Sequence, residues 1–327
     1  NMQPFNRIIN GAMTIDQRYS GNAVTVITSA SFTYGIDRWS AISTNASKFS
    51  MQQNAGAVTP PAGYSNYLGF TSLATTSLAA GDYYFVNQVI EGFNMADLSW
   101  GTASAQTVTL SFWVRSSLTG TFGGALSNGS RSYPFSYSIS AANTWTAISI
   151  TLAGETSGTW ATNSALGMRV QFSLGTGTAF SGTAGAWAAA NYVSATGATS
   201  VVATSGATFY ITGVQLEAGS SGSSFAHENY SDTLQKCQRY YEKVITGEIP
   251  EGGNYYASLR YLTPSRFSVT KRANPTLVVT SQGGWPLGGG GTYSITGDTQ
   301  QASVIGLSGN ALNNQLHNYI FTANAEL

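Results

Sequence analysis

Residues 108–115 read VTLSFWVR, in which Val108, Leu110, Phe112 and Val114 alternate with Thr109, Ser111, Trp113 and Arg115. A period of two sends alternate side chains to opposite faces of an extended chain, so this segment is a strand with one buried face. The alternation recurs in Leu166, Met168, Val170, Phe172 and Leu174, in Tyr133, Phe135, Tyr137 and Ile139, and in Ile148, Ile150 and Leu152. Phe209 and Ile211 change phase to Val214 and Leu216 across Thr212 and Gly213, the shift a glycine bulge produces. Strands with one wet face pair antiparallel, and two such sheets bury their apolar faces against each other as a sandwich. The expected class is all-β.

The composition agrees. Only 9% of the 327 residues are charged while 37 are Gly, which removes the Glu, Lys and Arg faces of long surface helices. Aromatics at 12% supply ample core material, so low charge here does not mean disorder. Fourteen Lys and Arg balance fourteen Asp and Glu, with no basic stripe, which excludes the footprint of a nucleic-acid binder. Near-zero net charge also gives little colloidal repulsion, a hint of assembly. No apolar run is long enough to span a bilayer, and residues 1–11 lack the pattern of a secretory leader, so no membrane insertion is expected. One cysteine, Cys237, excludes an internal disulfide and a multi-cysteine metal site.

Turn-rich stretches at 218–224 (AGSSGSS) and 247–253 (GEIPEGG) bracket the one helical pattern. Ser231 suits a cap, Asp232 the first turn, and Leu234, Cys237, Tyr241 and Val244 fall on one helical face, with Gly247 beyond. The expected organisation is a sandwich over 1–228, a linking helix over 229–246 and a smaller β domain over 247–327. Short strands in the last region are expected at 255–261, 266–270, 276–280, 292–296, 302–307 and 318–322. No fixed-period repeat is visible.

Groups for catalysis are scarce. His227 and His317 are the only histidines, and no Gly-x-Ser-x-Gly elbow, cysteine–histidine signature or P-loop lysine is present. Asp82, Glu91 and Asp97 are the best candidates for paired carboxylates, against the alternative that they cap loops. The expectation is a non-enzyme with no cofactor. Asn-x-Ser triplets at Asn45, Asn128 and Asn229 are what chance produces in a Ser-rich chain.

Loop aromatics are more informative, because a flat ring stacks on the apolar face of a sugar while nearby polar groups bond its hydroxyls. Tyr64, Tyr67, Trp100, Trp187 with Tyr192, and Trp285 lie in turn-like contexts and are the candidate ligand contacts, with loop packing as the alternative for each; Trp160 has a similar setting. Residues 175–208 are rich in Gly, Ala, Ser and Thr with few charges, and are expected to be buried against neighbouring chains.

Several motifs carry a family likeness: NRIING at 6–11, TIDQR at 14–18, IDRW at 36–39, QVIEG at 88–92, VTLSFWVR at 108–115, SGTAGAW at 181–187, FYITGVQLEAG at 209–219, CQRYYEK at 237–243, FSVTKRANP at 267–275 and the final ANAEL. Together they resemble bacteriophage tail-fibre-like virion proteins whose sandwich is similar to carbohydrate-binding jelly-roll modules. The resemblance spans nearly the whole chain. It implies a jelly-roll sandwich in a homotrimeric subunit on the outside of the virion, in contact with other virion proteins. Jelly rolls of this kind often hold calcium through acids near the opening Asn-Gly and in the last strand; here Thr14 and Thr212 stand there, so no metal is expected. No long N-terminal stalk is expected, so the resemblance implies either a short fibre or a spike that decorates a capsid or tail.

The leading expectation is therefore a fibre or spike protein that attaches the virion to host surface polysaccharide, with several copies compensating for weak single sites. The rival is a structural subunit without receptor function: a head fibre, capsid cement or decoration protein, or a tail-assembly protein. A polysaccharide depolymerase, which would need paired acids in a cleft, is the third reading.

Overall fold

The structure, a computed structural model, describes residues 5–26, 31–245, 249–250, 260–283, 292–307 and 316–327. The chain divides into two compact units, one ending at Tyr230 and the other running from Ser231 to Glu326, with Leu327 grouped with the first.

The first unit carries β1 (Val24–Thr25), β2 (Thr33–Ile36), β3 (Trp39–Ser43), β4 (Phe49–Gln53), β5 (Leu68–Ser72), β6 (Tyr83–Glu91) and β7 (Val108–Ser116). It continues with β8 (Gly120–Ser127), β9 (Ser132–Ile139), β10 (Thr146–Leu152), β11 (Leu166–Thr176), the short β12 (Ser181–Gly182) and β13 (Ser194–Ala195), and β14 (Thr208–Ala218). Two six-stranded antiparallel sheets result, ordered β1-β4-β5-β14-β7-β10 and β2-β3-β6-β11-β8-β9. This is a jelly-roll β-sandwich. Phe112 and Phe209 from one sheet meet Phe172, Phe135 and Phe122 from the other in a core shared with Trp39, Leu110 and Val170. Phe112 and Phe172 touch edge to face at 5.0 Å across the layers.

The bulge lies where the phase shift put it. Thr212 pairs with Trp113 and Gln215 with Ser111, so Gly213 and Val214 together oppose one residue. Gly213 sits at φ 61°, and a Cβ there would lie 2.6 Å from the Tyr64 ring. The opening motif folds onto the same strand: Asn6 Oδ1 accepts from Leu216 N, its Nδ2 donates to Val214 O, and Val214 N donates to Gly11 O. Asn10 bonds the backbone of Thr14, Ile15 and Asp37, and its own carbonyl accepts the Trp39 indole N–H.

The small-residue segment after β11 packs in part on its own sandwich, with residues 183–186 and 203–206 exposed. Val201 and Val202 enter the main core, while Val193 joins Ile42 and Phe85 on the outer face of the second sheet. Its composition fits close approach: a Cβ on Gly123 of β8 would lie 2.5 Å from Ser194 Oγ and 3.0 Å from the Ala195 nitrogen. Polar residues of that face, Asn87 and Gln171 among them, are fully buried.

The second unit holds α1 (Tyr230–Gln238), β15 (Tyr241–Ile245), β16 (Ile249–Pro250), β17 (Arg260–Arg266), β18 (Thr276–Gly283), β19 (Thr292–Gly297), β20 (Gln301–Leu307) and β21 (Leu316–Asn324). Strand β21 pairs with β15, β16 and β18, and β20 lies between β17 and β19. Phe267, Phe321, Ala302 and Ala323 form its core with Val244, Leu277 and Val279.

The helix ends earlier than the 229–246 expectation. Tyr241 pairs with Asn324 and Val244 with Phe321, so these residues belong to a strand. The run YYEKVI alternates as well as it spirals, and pairing with β21 supplies hydrogen bonds to its backbone. Cys237 is buried on the helix. The expected strand at 266–270 is a turn held by Glu242, whose carboxylate accepts from Ser268 N and Oγ and from Lys271 Nζ. Burial lowers the Lys271 ammonium's pKa, against the opposing pull of Glu242. Residues 255–259 of another expected strand lie outside the described residues.

Candidate functional site

Strand β6 leads into residues 92–107, β10 into residues 153–165, and both connections lie at the end of the sandwich where β7 begins and β14 ends. There Trp100 and Trp160 meet edge to face at 4.9 Å and 84°. Trp187, carried in from the covering segment, touches Trp100 at 5.3 Å and Trp160 at 5.6 Å, and Tyr133 closes on Trp187 at 5.4 Å. Each indole N–H donates to a backbone carbonyl: Trp100 to Gln106, Trp160 to Ser157, Trp187 to Ala153. The rings are therefore fixed and largely buried, Trp100 7% and Trp160 9% exposed, and the edge they leave to a ligand is carbon surface rather than a hydrogen bond.

In the loop that carries Trp160, Glu155 Oε2 accepts from Arg131 Nε at 2.6 Å, and Glu155 also accepts from Ser157 N. The loop after β6 is tied down separately: Arg7 makes a bidentate pair with Asp97, at 2.8 and 2.7 Å, and donates to Asn94 O. The Arg7 hydrogen bonds hold the Asp97 carboxyl below its ordinary value of 3.8.

These loops enclose a cleft of about 330 Å³, with Met95, Trp100, Trp160, Ala96 and Ala161 as its apolar lining. Ser99, Thr102, Ser104 and Thr162 supply hydroxyls, and no ionisable side chain lines it. The Thr102 hydroxyl donates to Ser99 O. Phe93, two residues before the cleft's Met95, is 60% exposed.

The other sequence candidates are scattered. Tyr67 has no exposed surface: its hydroxyl donates to Ala55 O, accepts from Val58 N, and its ring packs on Tyr210 and Trp145, so it is a core residue and not a ligand contact. Tyr64 lies half-buried over Gly213 with Phe225 at 5.3 Å and His227 at 5.5 Å. Burial raises the pKa of both tyrosine hydroxyls. Tyr192 packs against Gly182, where a Cβ would lie 2.3 Å from its ring. Trp285 and the side chain of His317 lie outside the described residues.

None of the three candidate carboxylates, Asp82, Glu91 and Asp97, lines the cleft. Asp82 and Glu91 are separated by the length of extended β6, about 30 Å at roughly 3.3 Å per residue, against about 5–10 Å for a hydrolytic pair. Asp82 accepts from Thr44, Asn45 and the Ala79 backbone, and Asp97 is held by Arg7. Among the described residues no cluster of His, Cys, Asp or Glu could hold a metal ion, and no helix is long and apolar enough to cross a membrane.

No protein-family model and no curated protein sequence matches the chain. Among solved structures it is similar to a CBM4 structure, at 14% identity and TM-score 0.34 over 64% of this chain and 98% of the other. It is also similar to a family 11 carbohydrate-binding module from Clostridium thermocellum in complex with a mixed-linked tetrasaccharide, at 13% identity and TM-score 0.30, over 62% of this chain and 97% of the module. A structure of Sulfolobus Turreted Icosahedral Virus matches 80% of this chain and 58% of its own at 11% identity and TM-score 0.20.

Proposed function

We propose that this chain is a non-enzymatic phage virion fibre or spike subunit, assembled as a homotrimer on the particle's exterior, that attaches the virion to a host surface polysaccharide. The observation that carries the reading is the charge-free cleft floored by Trp100 and Trp160 and ringed by hydroxyls. Fixed aromatic surface beside groups that both donate and accept is what pyranose recognition requires. One such cleft binds weakly, and three on one particle raise the avidity without any new contact. The motifs quoted from the sequence support the virion setting.

The rival, a structural virion subunit, draws support from the second unit. Ile245 is 69% and Val278 50% exposed on the outer face of the β15-β21-β18 sheet, apolar surface suited to another protein. The test is binding of the purified chain, sized in solution beforehand, to host cells and to cells stripped of surface polysaccharide. Saturable binding by a trimer that disappears on stripping supports attachment. A trimer that binds neither favours the structural role.

A further inference from the structure

The chemistry of the cleft narrows its ligand, on the assumption that it binds glycan at all. Its apolar lining goes beyond the two indoles to Met95, Ala96 and Ala161. Its polar side chains are all hydroxyl-bearing: Ser99, Thr102, Ser104 and Thr162. A sugar carboxylate is recognised by Arg or Lys, above all bidentately. Two guanidiniums lie nearby and neither lines the cleft: Arg7 is spent on Asp97 and only 2% exposed, and Arg131, 22% exposed, is spent on Glu155. An anionic sugar meets no compensating cation in the lining. A hydroxyl pressed on Met95 or the alanines loses its water without a partner, whereas a methyl group there gains by leaving water.

We infer that the cleft is selective for an uncharged pyranose that bears a methyl group, the chemistry shared by N-acetylated and 6-deoxy sugars. At about 330 Å³ it lies at the small end of ligand pockets, roughly 300–1,000 Å³, which suits one or two sugar units and not a long chain.

The test is ligand-observed NMR titration of the full chain with the methyl glycosides of N-acetylglucosamine, rhamnose, glucose and glucuronic acid. At least one of the first two is expected to bind roughly four- to tenfold more tightly than glucose, the effect of one buried methyl, with glucuronic acid not bound. Which of the two wins separates the acetamido from the deoxy source. Thr162→Tyr, at an exposed wall position, is expected to block binding with unchanged melting. Glucose or glucuronic acid binding as tightly as the methyl-bearing sugars, or unchanged binding by Thr162→Tyr, overturns the inference. If none of the four binds while the chain still adheres to whole polysaccharide, the inference fails and the attachment reading stands. If it adheres to neither, both fail.

Discussion

Glu155 joins the two loops that carry the cleft's tryptophans: its carboxylate accepts from Arg131 Nε at 2.6 Å, and its backbone carbonyl accepts from the nitrogen of Gly101, the residue after Trp100. The Glu155 side chain is 4% exposed and that of Arg131 22%, so water substitutes poorly for either partner. Replacing Arg131 by Met leaves a buried carboxylate without its cation. A loss of about 3 kcal/mol is expected in chemical denaturation of the first unit, less in the double variant Arg131→Met, Glu155→Gln.

The Arg7–Asp97 pair makes the neighbouring loop acid-sensitive. Asp97 titrates below 3.8 on the folded chain because of Arg7's hydrogen bonds. A lowered carboxyl pKa contributes stability that is complete above the unfolded value, about pH 4, and is lost as pH falls through the folded value. Because Asp97 is 65% exposed, the effect is small. Asp97→Asn is expected to flatten this part of the stability profile below about pH 4 and leave the profile above pH 5 parallel to wild type, as read by denaturation at a series of pH values.

Gly213 tests the bulge. Its φ of 61° disfavours any Cβ, and Tyr64 occupies the space that one would need. Gly213→Ala should cost about 1–3 kcal/mol. Adding Tyr64→Ala should recover the steric share and leave the backbone share, which thermal melting of the single and double variants separates.

Tyr67 separates packing from recognition. Tyr67→Phe removes a buried hydroxyl bonded to Ala55 O and Val58 N, so a loss of about 1–3 kcal/mol is expected with no change in sugar affinity. A weakened affinity at unchanged stability would place Tyr67 at a binding surface after all.

Most of the sandwich was legible because β7, β9, β10, β11 and β14 alternate strictly, and even the bulge at Thr212 and Gly213 announces itself as a change of phase. Tyr241 to Ile245 misled because YYEKVI satisfies both periods, and the decision between them rests on a partner, β21, about 80 residues away. The site was half visible. Trp100 and Trp187 stood out as loop aromatics, but their meeting with Trp160 depends on three connections arriving at one end of the sandwich. Phe93 and Met95 carried no signal, since nothing local distinguishes an exposed Phe or a lining Met from core material. Tyr67 shares its loop context with Tyr64, and only the packing of Tyr210 and Trp145 reveals it as interior.

The most direct measurement of the central claim is adsorption of the full chain to an array of purified bacterial surface polysaccharides, with Thr162→Tyr and Tyr64→Ala run beside wild type. The account predicts saturable binding of wild type to at least one polysaccharide, loss of that binding in Thr162→Tyr, and its retention in Tyr64→Ala. Equal binding by wild type and Thr162→Tyr, or no binding by wild type, would contradict it.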